Sequence, residues 1–159
     1  FSLTDQSGRT VTTGDFAGKV WVANFIFTSC PDVCPTLSAH MAEVQTHYRA
    51  EPRLHLVSFT VDPATDTPPV LAAYGARFGA DANRWSFLTG DTEAVTRVVV
   101  DGFKQMIERG GATGDPATIL HGSRFVVVDG KGRMRAFAEP TEPEKRSLYA
   151  AVDQSLAGL

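Results

Sequence analysis

Apolar residues run through Val20-Trp21-Val22-Ala23-Asn24-Phe25-Ile26-Phe27 with Asn24 as the one polar interruption. A continuous apolar run rich in β-branched and aromatic side chains predicts a strand buried on both faces of a sheet. The period then changes: Leu37, Met41, Val44 and Tyr48 recur at helical spacing until Glu51-Pro52 ends the pattern, so a helix follows the strand. Positions 54–61 return to a strand pattern, and Asp66-Thr67-Pro68-Pro69 supplies the cap and first turn of a helix reaching Phe78.

The same reading continues to the end of the chain. Trp85-Ser86-Phe87-Leu88-Thr89 predicts a short strand, and Asp91 or Thr92 caps a helix to about Val100. Residues 123–128 form a strongly β-branched strand that Gly130-Lys131-Gly132 turns into a partner at 134–137. Residues 141–156 close the chain as an amphipathic helix with Leu148, Val152 and Leu156 on one stripe. At the other end, Gln6-Ser7-Gly8 between Phe1-Ser2-Leu3 and Arg9-Thr10-Val11-Thr12 predicts a small β-hairpin covering one end of the sheet. Residues 108–117, Gly-rich and containing Asp115-Pro116, show no period and read as a mobile loop.

Alternating strands and helices make this an α/β chain with a mixed central sheet, helices on both faces and an N-terminal β-hairpin. With no repeat or low-complexity linker, residues 1–159 read as one domain. Right-handed crossovers place the segment from Cys30 to Cys34 at the carboxyl end of a central strand, where such sheets put ligands.

Composition narrows the function classes. Lys plus Arg number 15 against 18 Asp plus Glu, a net charge of −3, so no basic field exists to hold nucleic acid. No apolar run approaches the roughly 18 residues that span a bilayer, which predicts a soluble domain. The start at Phe1 without an initiator Met leaves room for a leader or an N-terminal membrane anchor.

The two cysteines, Cys30 and Cys34, stand in a chain large enough to need no staple, so they read as a reactive or metal-binding pair. At the start of a helix a thiol meets unpaired N–H groups and the positive end of the macrodipole, which lowers its pKa; Cys34, before Pro35, is expected to benefit most. One helical turn brings both sulfurs to one side, close enough to chelate one ion or to close a disulfide, and spacing does not choose between these. Two thiolates form a soft site, and one imidazole would complete a set suited to copper. His40 and His47 share one face of the first helix but lie two turns, about 10 Å, apart, too far to share an ion. His55 starts a strand with no acidic or thiol neighbour in sequence, and Met106 beside Ile107 reads as packing.

The stretch Phe27-Thr28-Ser29-Cys30-Pro31-Asp32-Val33-Cys34-Pro35 resembles the signature of the SCO/SenC family of copper proteins. The resemblance continues through Gly18-Lys19-Val20, Val61-Asp62-Pro63, Asp66-Thr67-Pro68, and Leu120-His121 before Arg124-Phe125-Val126-Val127-Val128-Asp129, covering nearly the whole chain in order. It implies a thioredoxin-like fold, copper as Cu(I) or Cu(II), metal ligands Cys30, Cys34 and His121, and Asp62 as an acidic residue near the site. It further implies a metallochaperone that serves the CuA site of cytochrome c oxidase or another copper protein. Such a protein needs a thiol reductant to keep the cysteines receptive, and works in a periplasm or other extracytoplasmic space, commonly on an N-terminal anchor. One departure is Gly122 after His121, where many similar proteins carry Ser; here the hydroxyl is delayed to Ser123.

Other readings fit less well. A thiol-disulfide oxidoreductase cycling Cys30 and Cys34 is the principal alternative, although its usual motif has one residue fewer between the cysteines and a cis-proline where Leu120-His121-Gly122-Ser123 stands. A peroxiredoxin-like peroxidase would need Pro and Thr where Ala23 and Phe27 stand. A zinc enzyme with two Cys, one His and water lacks an evident general base.

Overall fold

The long apolar run becomes β3 (Val20–Ile26), every residue of which is buried. It pairs in parallel with β4 (Leu54–Thr60), which pairs in parallel with β5 (Trp85–Leu88). On its other side β3 pairs antiparallel with β8 (Phe125–Val128), and β8 with β9 (Met134–Ala138), giving the sheet order β5-β4-β3-β8-β9. The structure is a computed structural model that describes residues 1–30, 33–110 and 115–159, with the backbone alone for Val33, Arg109, Gly110 and residues 115–121.

Helix α1 (Val33–His47) carries the chain from β3 to β4, and α2 (Pro68–Arg77) from β4 to β5. Both crossovers step the same way across the sheet, so their right-handedness puts both helices on one face. That face carries Val22, Asn24 and Ile26 of β3 beside Leu56, Ser58 and Thr60 of β4. Helix α2 comes so close to β5 that a Cβ on Gly75 would meet the Phe87 ring at 2.8 Å. The terminal helix α4 (Glu142–Ala157) packs on β9, β8 and β3 and is tied to α1 by Tyr48, whose hydroxyl donates to Asp153 at 2.9 Å. Asn24, the polar interruption in β3, accepts from the Ser58 hydroxyl, which in turn accepts from Trp85 Nε1. The partner satisfies the Asn24 oxygen, whereas its buried Nδ2 finds no hydrogen-bond partner among the described residues.

From β5 the chain returns past β3 to reach β8, and α3 (Thr92–Thr96) lies on the opposite face, where Ala94 lines one cavity with Trp21 and Phe103. Asp91 caps α3 by accepting from the Ala94 N–H at 2.8 Å. The helix expected to about Val100 is present and reaches Gly102, but from Arg97 it widens into a π-helical segment, Arg97–Gly102, capped at Phe103. The Phe103 ring lies 5.8 Å from Trp21, 5.4 Å from Phe25 and 5.2 Å from Phe59, closing this side of the core together with Phe1 and Phe16. Each such large side chain removed from water contributes about 2–3 kcal/mol.

The N-terminal hairpin is present as β1 (Ser2–Thr4) and β2 (Thr10–Thr12). A correction concerns residues 108–117. The expected loop is instead largely a two-stranded ladder of β6 (Ile107–Gly110) and β7 (Asp115–His121), with residues 111–114 outside the described chain. Its register shifts between Arg109 and Gly110, and short strands with a shift and a proline leave no alternating pattern to read.

Candidate metal and thiol site

After β3 the chain turns through Phe27-Thr28-Ser29, and the Cys30 N–H donates to the Phe27 carbonyl at 3.1 Å. Pro31 and Asp32 of the motif lie outside the described residues. Cys34 sits in the first turn of α1, fully buried, and its N–H donates to Cys30 Sγ at 3.4 Å. Cys30 is half-buried, and both thiols are free of a disulfide. The helix N-terminus therefore offers an amide to the sulfur of Cys30.

Cys34 was expected to gain most from the helix start, and this is corrected. Burial pushes its thiol well above the ordinary range; the hydrogen bond with the Cys30 side chain and the charges of Cys30 and Asp66 act the same way, against a backbone hydrogen bond from Phe27. A helix terminus contributes about 1 kcal/mol or less to a nearby charge, whereas removing a thiolate from water costs more.

Asp66, read from sequence as part of a helix cap, is a fully buried carboxylate behind the cysteine turn. It accepts from the Thr28 N–H at 3.0 Å, from the Thr28 hydroxyl, and from the Thr60 hydroxyl at 2.6 Å. The cap position of α2 belongs to Thr67, followed by prolines in the first turn. Asp62 is half-buried; its N–H donates to Thr60 Oγ1 at 3.0 Å and its carbonyl accepts from the Asp66 N–H at 2.9 Å. Tyr74 of α2 shares a 2.7 Å hydrogen bond with Ser38 of α1. Burial raises the Tyr74 phenol to about 12, the Ser38 bond opposes, and Cys34 and Cys30 add to the rise, which puts the tyrosine within reach of the thiols' field. Asp66, Tyr74 and Ser38 escaped the sequence reading because nothing local reports that a cap residue turns inward or that two helices meet.

His121 ends β7, its backbone paired with Ile107, and the next N–H, of Gly122, donates to the Met106 carbonyl at 3.1 Å. Its side chain lies outside the described residues, and among these no cluster of three metal-binding side chains occurs. The Gly122 departure has a local reason: Gln105 is buried against it, and a Cβ on Gly122 would lie 2.0 Å from Gln105 Oε1. The Ser123 hydroxyl donates to Glu139 at 2.7 Å. Met106, read as packing, is corrected to an exposed side chain at 57%. The remaining histidines are engaged elsewhere: His40 beside Glu43, His47 stacked on Tyr149 at 4.5 Å, and His55 against Phe16 with Nε2 2.9 Å from Ser86 Oγ.

A family model described as SCO1/SenC matches residues 1–157. The chain belongs to the SCO1/SenC family. It is 32% identical to the SCO1 protein homolog of Bacillus subtilis over 136 residues, 84% of this chain and 69% of that one. It spans 64% of the SCO2-like protein of Rickettsia felis, at 34% identity over 84% of this chain. A SCO1/SenC family lipoprotein from Bacillus anthracis superposes with a TM-score of 0.88 at 31% identity, covering 98% of this chain and 92% of that one. Bradyrhizobium japonicum ScoI with copper bound gives 0.83 at 26% identity, covering 98% and 97%. The mixed sheet with helices on both faces is thus the thioredoxin-like fold of the SCO structures. Among the described residues no helix is long and apolar enough to cross a membrane.

Proposed function

We propose that this chain, as one domain, takes up copper through Cys30, Cys34 and His121 and delivers it to, or prepares, the CuA site of cytochrome c oxidase. The observation that carries the reading is the pair of unbridged sulfurs at the first turn of α1, one buried and one facing a backbone amide. Two soft donors at fixed spacing suit Cu(I), and an imidazole from the end of β7 would suit Cu(II). Copper handling in the family supports it: the Bradyrhizobium ScoI structure holds copper, and BsSco is described as a member of the Sco family of cytochrome c oxidase assembly proteins. The Bacillus anthracis relative is a lipoprotein, which favours an extracytoplasmic, membrane-anchored setting. Asp62, in the β4–α2 loop, is assigned to support the metal from outside its ligands. Because burial keeps Cys34 protonated, copper must displace its proton, so binding weakens as pH falls.

The test is an anaerobic titration of the reduced protein with copper, expected to give about one tightly held ion per chain. Oxidising the cysteines should abolish binding, and His121→Ala should weaken Cu(II) strongly and Cu(I) less. Binding indifferent to cysteine oxidation removes the proposal. A second reading, thiol-disulfide exchange with a partner protein, is favoured by one observation: Cys30 is the more accessible of the two sulfurs, and it accepts the Cys34 N–H at the start of α1. The BsSco structure is described as containing a disulfide switch. If this is the whole function, His121→Ala leaves turnover with a dithiol partner intact.

A further inference from the structure

We propose that Asp66 is a positioning residue that sets the preference of the cysteine site for Cu(II) over Cu(I), an inference that rests on the copper-binding reading above. The carboxylate is fully buried. Each of its contacts brings it a hydrogen: the Thr28 N–H, the Thr28 hydroxyl and the Thr60 hydroxyl. Thr60 Oγ1 accepts from the Asp62 N–H at 3.0 Å while its hydroxyl donates to Asp66. All three contacts thus use the Asp66 oxygens as acceptors, the role both oxygens of an ionised carboxyl can fill.

Among the described residues no cation accompanies it. Asp5 and Asp129, the other two well-buried aspartates, each pair with an arginine, Arg9 and Arg133. A buried charge without a counter-ion is costly, and Asp66 stands behind the Thr28 turn that leads into Cys30. Thr28 precedes Cys30 by two positions, so gripping both its N–H and its hydroxyl fixes the turn that presents the Cys30 sulfur.

The charge has a consequence that hydrogen bonds alone do not. Cu(I) with two thiolates carries a net charge of −1, whereas Cu(II) with the same two is neutral. A fixed negative charge nearby, in a medium of low dielectric, therefore disfavours the cuprous complex more than the cupric one. A group that only holds the turn would lower both affinities by the same factor.

Asp66→Asn separates the two. The amide oxygen can accept from Thr28 N–H and Thr60 while its NH2 donates to a rotated Thr28 hydroxyl, so the shape is kept and the charge removed. Cu(I) affinity is read by competition with a chromogenic chelator, and Cu(II) affinity by competition followed through the thiolate charge-transfer band. In Asp66→Asn the Cu(II)-to-Cu(I) affinity ratio should fall about tenfold relative to the parent. In Thr28→Val, which keeps the charge and loses one donor, both affinities should fall together with the ratio within about twofold of the parent. An unchanged ratio in Asp66→Asn, or an equal shift in Thr28→Val, overturns the inference. If Asp66→Asn does not fold, the neutral Asp66→Thr gives the same comparison. A parent that binds no copper defeats the proposed function itself; a parent that binds copper beside a variant with an unshifted ratio defeats only the role of Asp66.

Discussion

Where β3 and β4 begin, two hairpin loops are built on the same plan. Asp5-Gln6-Ser7-Gly8-Arg9 and Asp129-Gly130-Lys131-Gly132-Arg133 each wrap backbone amides around an aspartate, turn through a glycine with φ near +80° (83° and 78°), and return an arginine to the carboxylate. Burial works to raise both carboxyls, but these hydrogen bonds and arginines outweigh it and hold them below the ordinary range. His55, at the same end, is buried toward its neutral form. Where β3 and β4 finish, the buried carboxylate of Asp66 meets only neutral donors, and the buried thiol of Cys34 is pushed up. One end of the sheet pairs its buried aspartates with arginines; at the other, among the described residues, no arginine or lysine stands against Asp66.

The largest effect should come from removing the unmatched carboxylate altogether. Asp66→Ala strands the Thr28 and Thr60 donors, Thr60 being fully buried, and should cost about 4 kcal/mol in chemical denaturation of the reduced, metal-free protein. Asp129→Ala should cost about 2 kcal/mol, because the loop amides it releases can be rehydrated. Equal costs at the two positions would erase the contrast between the ends.

Next in size is a pH effect confined to the matched end. Burial lowers the His55 imidazole to about 4, with Lys19 and Arg84 adding to the drop, against about 6.5 in an unfolded chain. Between these values the unfolded state binds the extra proton, so stability is full above about pH 6.5 and is lost as pH falls toward 4, by up to about 3 kcal/mol. His55→Gln should flatten denaturation midpoints across that window. A parental slope surviving in His55→Gln would assign the loss to carboxylates instead.

The sequence carries the fold wherever a pattern is long enough to average over. β3, β4, α1 and α4 declare themselves through runs or stripes of buried residues such as Phe25, Phe59, Met41 and Val152. The β6–β7 ladder does not, because four residues against seven, with a register shift, hold together only through each other. Nor does the π-helical segment, since Arg97-Val98-Val99-Val100 reads as ordinary helix until Phe103 has to reach Trp21. At the site, the cysteine pair is legible as chemistry, but which sulfur meets the helix terminus and which is buried is a property of three dimensions. Asp66 shows the same limit: the letters Asp-Thr-Pro predict a cap, and the carboxylate turns inward to Thr28.

The smallest effect concerns the strand end that carries His121, which is held by packing where the cysteine turn is held by charge. Gln105 is buried, with its N–H donating to the Val99 carbonyl at 3.0 Å and its amide Nε2 to the Phe103 carbonyl at 3.3 Å, so it cannot swing away freely. A methyl added at Gly122 would come 2.0 Å from its Oε1 and 3.0 Å from its side-chain carbonyl carbon, but stay 3.3 Å from its Cβ. Gly122→Ala must therefore displace either the glutamine side chain or the end of β7, at a cost of about 1 kcal/mol. Gln105→Ala alone gives up the bond to Phe103, also about 1 kcal/mol. In the double variant the shortened side chain leaves room for the methyl, so Gly122→Ala should cost almost nothing once Gln105 is gone, a coupling that a double-mutant cycle reads directly. Cu(II) affinity, which we propose depends on His121, should fall in Gly122→Ala and return in the double variant, while Cu(I) affinity stays nearly level in both. Simple additivity of the two stability costs would show that Gln105 and Gly122 do not set each other's position, and the placement of His121 would then have to be sought in β6 and β7 themselves.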